Sequence, residues 1–330
     1  MKIHRAEPLL HYRVDYADIG LLDRIFVKVK KETPHFNRRM FEEDFSRIFR
    51  HANRHGGKLF GIFSNDEELT ERLLSNVRTR YGPHPIDKAI RELVEDIAQS
   101  LIWTGAAHYF LKDDAESDAI NISSLGSSGI VHLFGTHIQW VSKRTVRHWD
   151  QDDEEVPREI RILDSAKILC FVMPRAIKCM ISSQNRILAV IDKHQFGATD
   201  FQPRATHENP NPINHFDFTI WQDTQERALY RSTRATGWNG RKYDSSKRSD
   251  FFDCHRLIRF RRNQLLLRDD ILSQLSAELS RVGKCYNPEF TVEVSGTDEL
   301  PNVKSLNELE ARLTREEVGF TEIIDYCLKC

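Results

Sequence analysis

Apolar residues recur at three- and four-residue steps along two stretches of the N-terminal half, which is the pattern of amphipathic helices. The first stretch, residues 35–52, stops at a glycine pair, and the second runs from Pro85 to Gly105. Proline suits the first turn of a helix, and glycine suits the position after its last turn. Each stretch is therefore predicted to form one helix.

Shorter signals lie on either side of these helices. The run KLFGIF, residues 58–63, predicts a strand, and Ser64 with Glu67 three residues later has the spacing of a capping box that opens a helix. Ser305 and Glu308 repeat the capping-box spacing near the C-terminus. We expect a helix to begin at each serine.

Between Ala106 and Pro174 the apolar runs shorten to strand length and are separated by glycine, serine and charged residues. The runs are AAHYFL, AINISSL, IVHLF, HIQWVS, REIRIL and KILCFVM. Together they predict a small sheet, antiparallel or mixed.

After Pro174 the helical period returns, and from Ser249 to Val282 it persists long enough for a helix on the order of 50 Å. A polar, proline-rich segment at about 202–215 predicts a loop or linker. The fold class predicted is α+β: N-terminal helices with a small antiparallel or mixed sheet, then a mainly helical C-terminal part with one very long helix. The expected domains are residues 1–174 and 175–330.

Charge is unevenly distributed along the 330 residues, although 48 Lys and Arg nearly balance 49 Asp and Glu. From Arg227 to Arg268 there are twelve basic and three acidic residues, a net charge of +9. From Tyr286 to Cys330 there are four basic and ten acidic residues, a net charge of −6. Any binding of a polyanion must therefore be local.

The basic stretch interleaves arginine with aromatic residues, a combination that suits phosphate contact and base stacking. The residues predicted to form a DNA, RNA or partner-binding surface are Arg231, Arg234, Arg256, Arg259, Arg261 and Arg262. The alternative is that the basic stretch pairs with the acidic C-terminal tail, within one chain or between subunits. The tail could equally bind another protein. The sequence leaves these alternatives open.

The segment RHANRH, from Arg50 to His55, fits the spacing R-x4-H and resembles the active-site motif of HEPN-type ribonucleases. The resemblance implies a metal-independent ribonuclease, a toxin or antiphage defence effector. In that role Arg50 would stabilise phosphate charge and His55 would act as general acid or base. A basic helix end, favoured by the helix dipole, is the other interpretation.

Other chemical signatures are weak. The pair Cys327 and Cys330 has CxxC spacing, but a zinc ribbon needs a second pair, so free thiols are predicted. Phosphate-binding glycine loops are missing from the sequence. We therefore expect no metal, no cofactor and no enzymatic activity outside the ribonuclease alternative. Apolar runs are too short for a membrane span, which favours a cytoplasmic protein.

Residues Ala89–Pro174, from AIRELVEDIAQSLIWTGAAHYFL to IRILDSAKILCFVMP, resemble the wing region of bacteriophage portal, or connector, proteins. In that family a long apolar helix ends at a glycine, a strand follows, and a small β region leads to an apolar strand ending in proline. Portal proteins are ring-shaped oligomers through which DNA passes, and they carry no active site. The resemblance implies a non-enzymatic assembly protein of phage or mobile-element type, homo-oligomeric, touching nucleic acid and associated with virions.

Overall fold

The structure, a computed structural model, describes residues 2–10, 21–27, 36–49, 58–78, 85–113, 120–133, 135–146, 154–196, 226–240 and 250–328. The chain forms two compact units, and each unit is built from separate segments of sequence. Unit 1 comprises Met1–Lys31, Gly56–Met173 and Arg268–Glu299. Unit 2 comprises Glu32–His55, Pro174–Leu267 and Leu300–Cys330.

Unit 1 contains the strands that the structure describes. They are β1 (Lys2–Arg5), β2 (Phe60–Ser64), β3 (Val77–Arg78), β4 (Ala106–Asp113), β5 (Ile120–Leu125), β6 (Ile130–Leu133), β7 (Thr136–Val141), β8 (Arg144–Val146), β9 (Glu154–Val156), β10 (Glu159–Leu163), β11 (Ile168–Val172) and β12 (Val292–Gly296). Its complete helices are α1 (Leu21–Phe26), α3 (Glu67–Ser75) and α4 (Ile86–Thr104).

Two four-stranded sheets dominate unit 1, with the strand orders β1-β10-β7-β6 and β11-β4-β5-β3. Each sheet has one parallel pair, β1 with β10 and β3 with β5, and its other pairs are antiparallel. Two further ribbons join β2 to β12 and β8 to β9. The prediction of an antiparallel or mixed sheet is confirmed in its mixed form, and sequence reasoning missed the strands β1, β3, β8 and β9.

Helix α4 supplies much of the core of unit 1. Ile90, Leu93, Ile97 and Leu101 follow the helical period and are at most 1% exposed. Gly105 ends the helix in the left-handed conformation, φ 81°, and its N–H donates to the Leu101 carbonyl. The helix predicted between Pro85 and Gly105 is confirmed at both ends.

A buried carboxylate ties α1 to the first sheet. Asp23, which is 2% exposed, accepts hydrogen bonds from Trp140 Nε1 at 2.7 Å and from Arg158 Nε at 2.8 Å. Phe26 stacks on the Trp140 ring with centroids 4.3 Å apart. Two residues that donate to Asp23 and one aromatic stack therefore hold this short helix.

The regular secondary structure that the structure describes in unit 2 is helical. Its elements are α2 (Phe36–Ser46), α5 (Arg175–Phe196), α6 (226–232), the first part of α7 (Asp250–Gly283), α8 (Val303–Thr314) and α9 (Phe320–Leu328). Residues 250–267 of α7 belong to unit 2 and residues 268–283 to unit 1. With 34 residues, α7 confirms the prediction of one very long helix, and it confirms the α+β fold class.

One apolar cluster joins α7, α8 and α9 within unit 2. Its buried members are Cys254, Ile258, Leu265, Leu306, Leu313, Ile323 and Cys327. They come from helix faces with three- and four-residue spacing, which accounts for the amphipathic pattern of this part of the sequence.

Helix α2 is fixed at both ends by unit 2. At its N-terminus the Asp192 carboxylate accepts hydrogen bonds from the Asn37 backbone at 3.1 Å and from the Asn37 side chain at 2.6 Å. At its C-terminus Gln264 Nε2 donates to the carbonyls of Asp44 and Phe45 at 2.9 and 3.2 Å. These groups satisfy helix-end donors and acceptors that would otherwise lack partners.

The two units differ from the two consecutive parts expected from the sequence. Residues 32–55 belong to unit 2, because α2 carries the contacts just described. Residues 268–299 belong to unit 1, because β12 pairs with β2 from Val292 opposite Ser64 onward. Periodicity reports local structure, and neither long-range pairing leaves a periodic signal.

Both predicted capping boxes are wrong in detail. The residue that caps α3 is Asp66, whose side chain accepts from the Leu69 N–H, and Ser64 instead accepts from the Asp66 N–H. Helix α8 begins after Asn302, whose side chain accepts from Ser305 N–H. In each case the side chain of an Asp or Asn directly before the first helical residue satisfies the donor.

Two further expectations concerned membrane-spanning segments and a loop or linker. Within the described ranges, no helix combines the length and apolar character required to cross a bilayer. The loop or linker expected at about 202–215 lies outside the described residues.

Candidate functional site

The six arginines predicted to form a binding surface all lie in unit 2, and burial divides them. Arg256 and Arg261 are only 5% and 4% exposed, whereas Arg231 and Arg234 are exposed. Arg259 and Arg262 are half-buried. Only some of the positive charges in this stretch of sequence therefore lie at the surface.

Arg256 uses its guanidinium within its own unit. Nη1 donates to the Tyr230 carbonyl at 2.9 Å, and Nη2 donates to the Trp238 carbonyl at 2.6 Å and to Thr233 Oγ1. Nε donates to Asn239 Oδ1. The guanidinium also lies over the Tyr230 ring, 4.2 Å from its centroid, in a cation–π contact.

Arg261 and Arg262 also have intramolecular partners. Arg261 donates to the Ile48 carbonyl, beyond the end of α2, where a cation is favoured by the helix dipole. Arg262 forms an ion pair with Glu310 of α8. Burial opposes ionisation of Glu310, but the hydrogen bond and charge of Arg262 hold its pKa below the ordinary value.

The exposed arginines are grouped on and after α6. Arg227, Arg231 and Arg234 are exposed and follow one another at four- and three-residue steps, the spacing of one helix face. Arg259 of α7 donates to the Arg234 carbonyl at 2.8 Å, which places a fourth cation beside them. We call these four residues the arginine surface.

The structure therefore brings together a smaller set than the sequence predicted. Arg231, Arg234 and Arg259 belong to the arginine surface, and Arg256, Arg261 and Arg262 hold unit 2 together. Arg262 pairs with the acidic tail, as the alternative interpretation expected, because its partner Glu310 lies in that tail.

Of the other candidate site residues singled out from the sequence, only Cys327 lies among the described residues. Arg50 and His55 of the RHANRH motif lie outside the described residues. Cys330 of the CxxC pair does as well, whereas Cys327 is buried in unit 2, where burial raises its pKa to about 12. A thiol in that environment stays protonated at neutral pH.

Sequence reasoning missed a cluster of metal-ligand side chains in unit 1. His108 of β4, His137 of β7 and Cys170 of β11 converge, with one potential ligand atom of each within 4.8 Å of the others. His108 and Cys170 are direct register partners in the antiparallel pair of β4 and β11. His108 and His137 are 5% and 9% exposed, so this His–Cys cluster is largely shielded from water.

A serine holds each histidine of the His–Cys cluster in the same way. Ser127 Oγ lies 3.0 Å from His108 Nδ1 and also accepts the His108 backbone N–H at 3.1 Å. Ser165 Oγ lies 3.1 Å from His137 Nδ1 and accepts the His137 backbone N–H at 3.3 Å. The serine hydroxyls donate onward to the carbonyls of Leu125 and Gly135.

The serine hydroxyls lie 3.5 and 3.4 Å from these two carbonyls, farther than from the Nδ1 atoms. An imidazole that carries its proton on Nδ1 would donate to the serine and leave the Nε2 lone pair for a ligand.

Charged groups border the His–Cys cluster. Glu278 of α7 accepts the Cys170 backbone N–H at 2.9 Å and pairs with Arg281 at 2.7 Å. Burial, followed by the charges of His132 and Arg281, lowers the pKa of His137, while Glu278 acts in the opposite direction. His137 is therefore favoured as the neutral imidazole.

The cluster was missed because its members lie far apart in sequence and share no motif. Only strand register brings His108 opposite Cys170, and register was not predicted. The one usable signal was that His108, His137 and Cys170 lie in strand-like runs whose neighbours are apolar.

Comparison with known proteins gives a structural similarity only. No family model matches the chain, and no curated protein matches it. A chain from the neck of an empty gene transfer agent (GTA) particle, computed with C6 symmetry, matches 96% of this chain and 93% of its own length, with 12% identity and a TM-score of 0.44. A chain from the virion of a native GTA particle matches 95% of this chain and 92% of its own, with 12% identity and a TM-score of 0.41. Both likenesses are weak and distant, and each is to a chain of a GTA particle.

Proposed function

We propose that the chain is a non-enzymatic structural subunit of a phage-type particle, that it assembles with copies of itself, and that its arginine surface contacts nucleic acid. The subunit would be associated with a virion, in an assembly of the kind named for the GTA structures above. Three features of the molecule support parts of this proposal.

The arginine surface carries the nucleic-acid part. Arg227, Arg231 and Arg234 are exposed, and within the described part of the chain no ion pair joins them to an acid. Guanidinium groups at helical spacing can reach successive phosphates, and displacement of counterions then favours binding. The four cations thus fit a phosphate backbone better than a single small anion.

The intramolecular use of the other arginines strengthens this assignment. Arg256 holds α6 and the chain after it against α7, and Arg261 holds the chain after α2. The exposed arginines are then presented from a fixed backbone, which lowers the ordering cost of binding.

Exposed apolar side chains support assembly. On α5 of unit 2, Ile187 and Val190 are 39% and 57% exposed and lie three residues apart, on one face. In unit 1, Val172 is 58% exposed and Trp103 is 45% exposed. Large apolar side chains at a surface are typical of contact sites for other chains.

The nucleic-acid part is tested with the double variant Arg231→Glu/Arg234→Glu. Binding of a labelled DNA duplex is followed by fluorescence anisotropy at several salt concentrations. We expect at least tenfold weaker binding and a salt dependence reduced by about two phosphate contacts. Both residues are exposed, so circular dichroism should show an unchanged fold.

The matched control is Arg175→Glu/Lys178→Glu, an equal change of charge at exposed positions of α5 in the same unit. This control should bind nearly as well as the unchanged protein. Equal loss in both double variants would mean that net charge alone matters, and no binding by the unchanged protein would overturn the nucleic-acid part.

Assembly is tested by mass photometry and negative-stain imaging of the purified chain. The proposal expects closed oligomers that are weakened in Ile187→Asp/Val190→Asp, because the variant places charge on the exposed face of α5. Ser182→Asp, an exposed position of the same helix, is the control and should assemble normally. A strictly monomeric protein at micromolar concentration would overturn this part of the proposal.

A further inference from the structure

The geometry points to a zinc site in unit 1, formed by His108, His137 and Cys170. The site is separate from the arginine surface and from the exposed face of α5, which both lie in unit 2. Its ligand would be a divalent ion of borderline softness, with Zn²⁺ the best fit to two imidazoles and one thiolate.

The backbone places the three ligands from three different strands. His108 and Cys170 face each other across β4 and β11, and His137 comes from β7 of the other four-stranded sheet. The rings of His108 and His137 meet edge to face, with centroids 6.1 Å apart and 72° between planes. A metal bound here would therefore cross-link the two sheets of unit 1.

The spacing is close to that of a bound ion. With Zn–N of about 2.0–2.1 Å and Zn–S of about 2.3 Å, tetrahedral ligand atoms lie about 3.3–3.6 Å apart. The three ligand atoms lie within 4.8 Å of one another. Approach by at most about 1.5 Å would bring them to the spacing of a tetrahedral ion.

The serine contacts provide the outer layer that metal-binding histidines require. Ligating imidazoles commonly donate the proton of one ring nitrogen to an oxygen, which fixes the ring and leaves the other nitrogen for the metal. Ser127 and Ser165 occupy this position for His108 and His137.

The thiol side of the site is fixed by α7. Glu278 accepts the Cys170 N–H at 2.9 Å, and Arg281 donates to the carbonyls of Ser165 and Ile168, which lie between β10 and β11 and at the start of β11. On binding, the Cys170 thiol loses its proton to solvent and the thiolate sulfur donates an electron pair to Zn²⁺. With three protein ligands, water fills the fourth tetrahedral position.

The test uses the full chain, purified without a histidine tag under reducing conditions, stripped with a chelator and reloaded with Zn²⁺ or Co²⁺ alone. We expect about one equivalent of zinc per chain by elemental analysis, a higher melting temperature with zinc, and a thiolate-to-Co²⁺ charge-transfer band with cobalt. No binding at micromolar zinc would overturn the proposal.

Variants locate the metal. Cys170→Ala and His137→Gln should each lose the zinc equivalent and the cobalt band. Cys285→Ala removes an exposed thiol of the same unit outside the cluster and should keep both. Loss in Cys327→Ser with retention in Cys170→Ala would place the metal at the CxxC pair and overturn the assignment.

One measurement remains decisive if a variant fails to fold. In the unchanged protein, zinc should protect the peptide containing Cys170 from alkylation by at least tenfold, as measured by mass spectrometry, and should leave Cys285 reactive. Equal reactivity of Cys170 with and without zinc would contradict the proposed site.

Discussion

Units 1 and 2 each hold a charged side chain inside the fold through hydrogen bonds within the same unit, a guanidinium in unit 2 and a carboxylate in unit 1. In unit 2 a buried guanidinium, Arg256, is surrounded by carbonyl and hydroxyl acceptors of its own unit. In unit 1 a buried carboxylate, Asp23, accepts from the Trp140 N–H. Elsewhere in the same unit, two buried histidines each contact a serine hydroxyl. A count of charges along the sequence therefore does not measure what is available at the surface, because hydrogen-bond partners decide which charges are used inside.

The sharpest contrast between the units is at two glycines with similar backbone angles. Gly237 of unit 2, φ 79°, lies so close to α7 that an added Cβ would be 2.2 Å from the Arg256 carbonyl oxygen. Gly105 of unit 1, φ 81°, has nothing within 4 Å of that position. Gly237→Ala should lower the free energy of unfolding by about 4 kcal/mol, from backbone strain plus overpacking.

Gly105→Ala is the matched control, because it introduces backbone strain without overpacking. It should lower the free energy of unfolding by about 1 kcal/mol. Both values come from urea denaturation followed by circular dichroism. Equal losses in the two variants would contradict the close approach of Gly237 to α7.

The next largest effect is expected at Arg256. Arg256→Ala leaves buried acceptors in unit 2 without a donor, so it should lower the free energy of unfolding by about 3 kcal/mol. Arg256→Lys should recover little of this, since an ammonium cannot match the planar fork. Arg231→Ala is the control, and its free energy of unfolding, from denaturation curves, should change by no more than about 0.5 kcal/mol. A mild effect of Arg256→Ala would mean that the residue is accessible, as the sequence had predicted.

In unit 1 the buried charged residue that corresponds to Arg256 is an acid, Asp23. Asp23→Ala removes the acceptor of the Trp140 N–H and of Arg158, and should cost about 2 kcal/mol because Arg158 can still reach water. Fluorescence of Trp140 should report its changed environment during unfolding. Asp298→Ala, an exposed acid of the same unit, is the control and should be nearly neutral.

The smallest effect depends on pH and concerns Glu310. Its pKa in the folded chain lies below its ordinary value of 4.5, so its contribution to stability is present above that pH and is lost as pH falls through the folded pKa. Glu310→Gln should cost under about 1 kcal/mol at pH 7, and the difference from the unchanged protein should vanish in acid. Glu308→Gln, exposed on the same helix, should show no such pH dependence. A constant difference down to pH 3 would contradict the pairing with Arg262.

The sequence was most informative where structure is local. The apolar faces of α4 and α7, the glycine end of α4 and six of the strands between β4 and β11 follow from periodicity and turn residues, which depend on nearby positions, whereas β8 and β9 were not predicted. The capping boxes failed because several polar residues near a helix start compete for the same donors, and only the backbone path selects Asp66 and Asn302.

The sites were less predictable for a related reason. Arg231 and Arg256 have the same residue type and similar neighbours in sequence, yet one is exposed and the other buried. The difference arises from α6 packing on α7, a tertiary contact. Likewise, His108 meets Cys170 through strand register and meets His137 through the approach of two sheets, and neither relation leaves a spacing that a motif could capture.

The interleaved segments of the two units have a consequence for synthesis on the ribosome. Strand β2 pairs with β12, and the bond from Ser64 Oγ to the Thr291 carbonyl joins residues 227 positions apart. At roughly 5–20 residues per second, β2 is translated roughly ten to fifty seconds before its partner emerges. During that interval its unpaired edge and the apolar residues beside it are open to chaperones, so unit 1 completes its folding late in translation although most of it is made early.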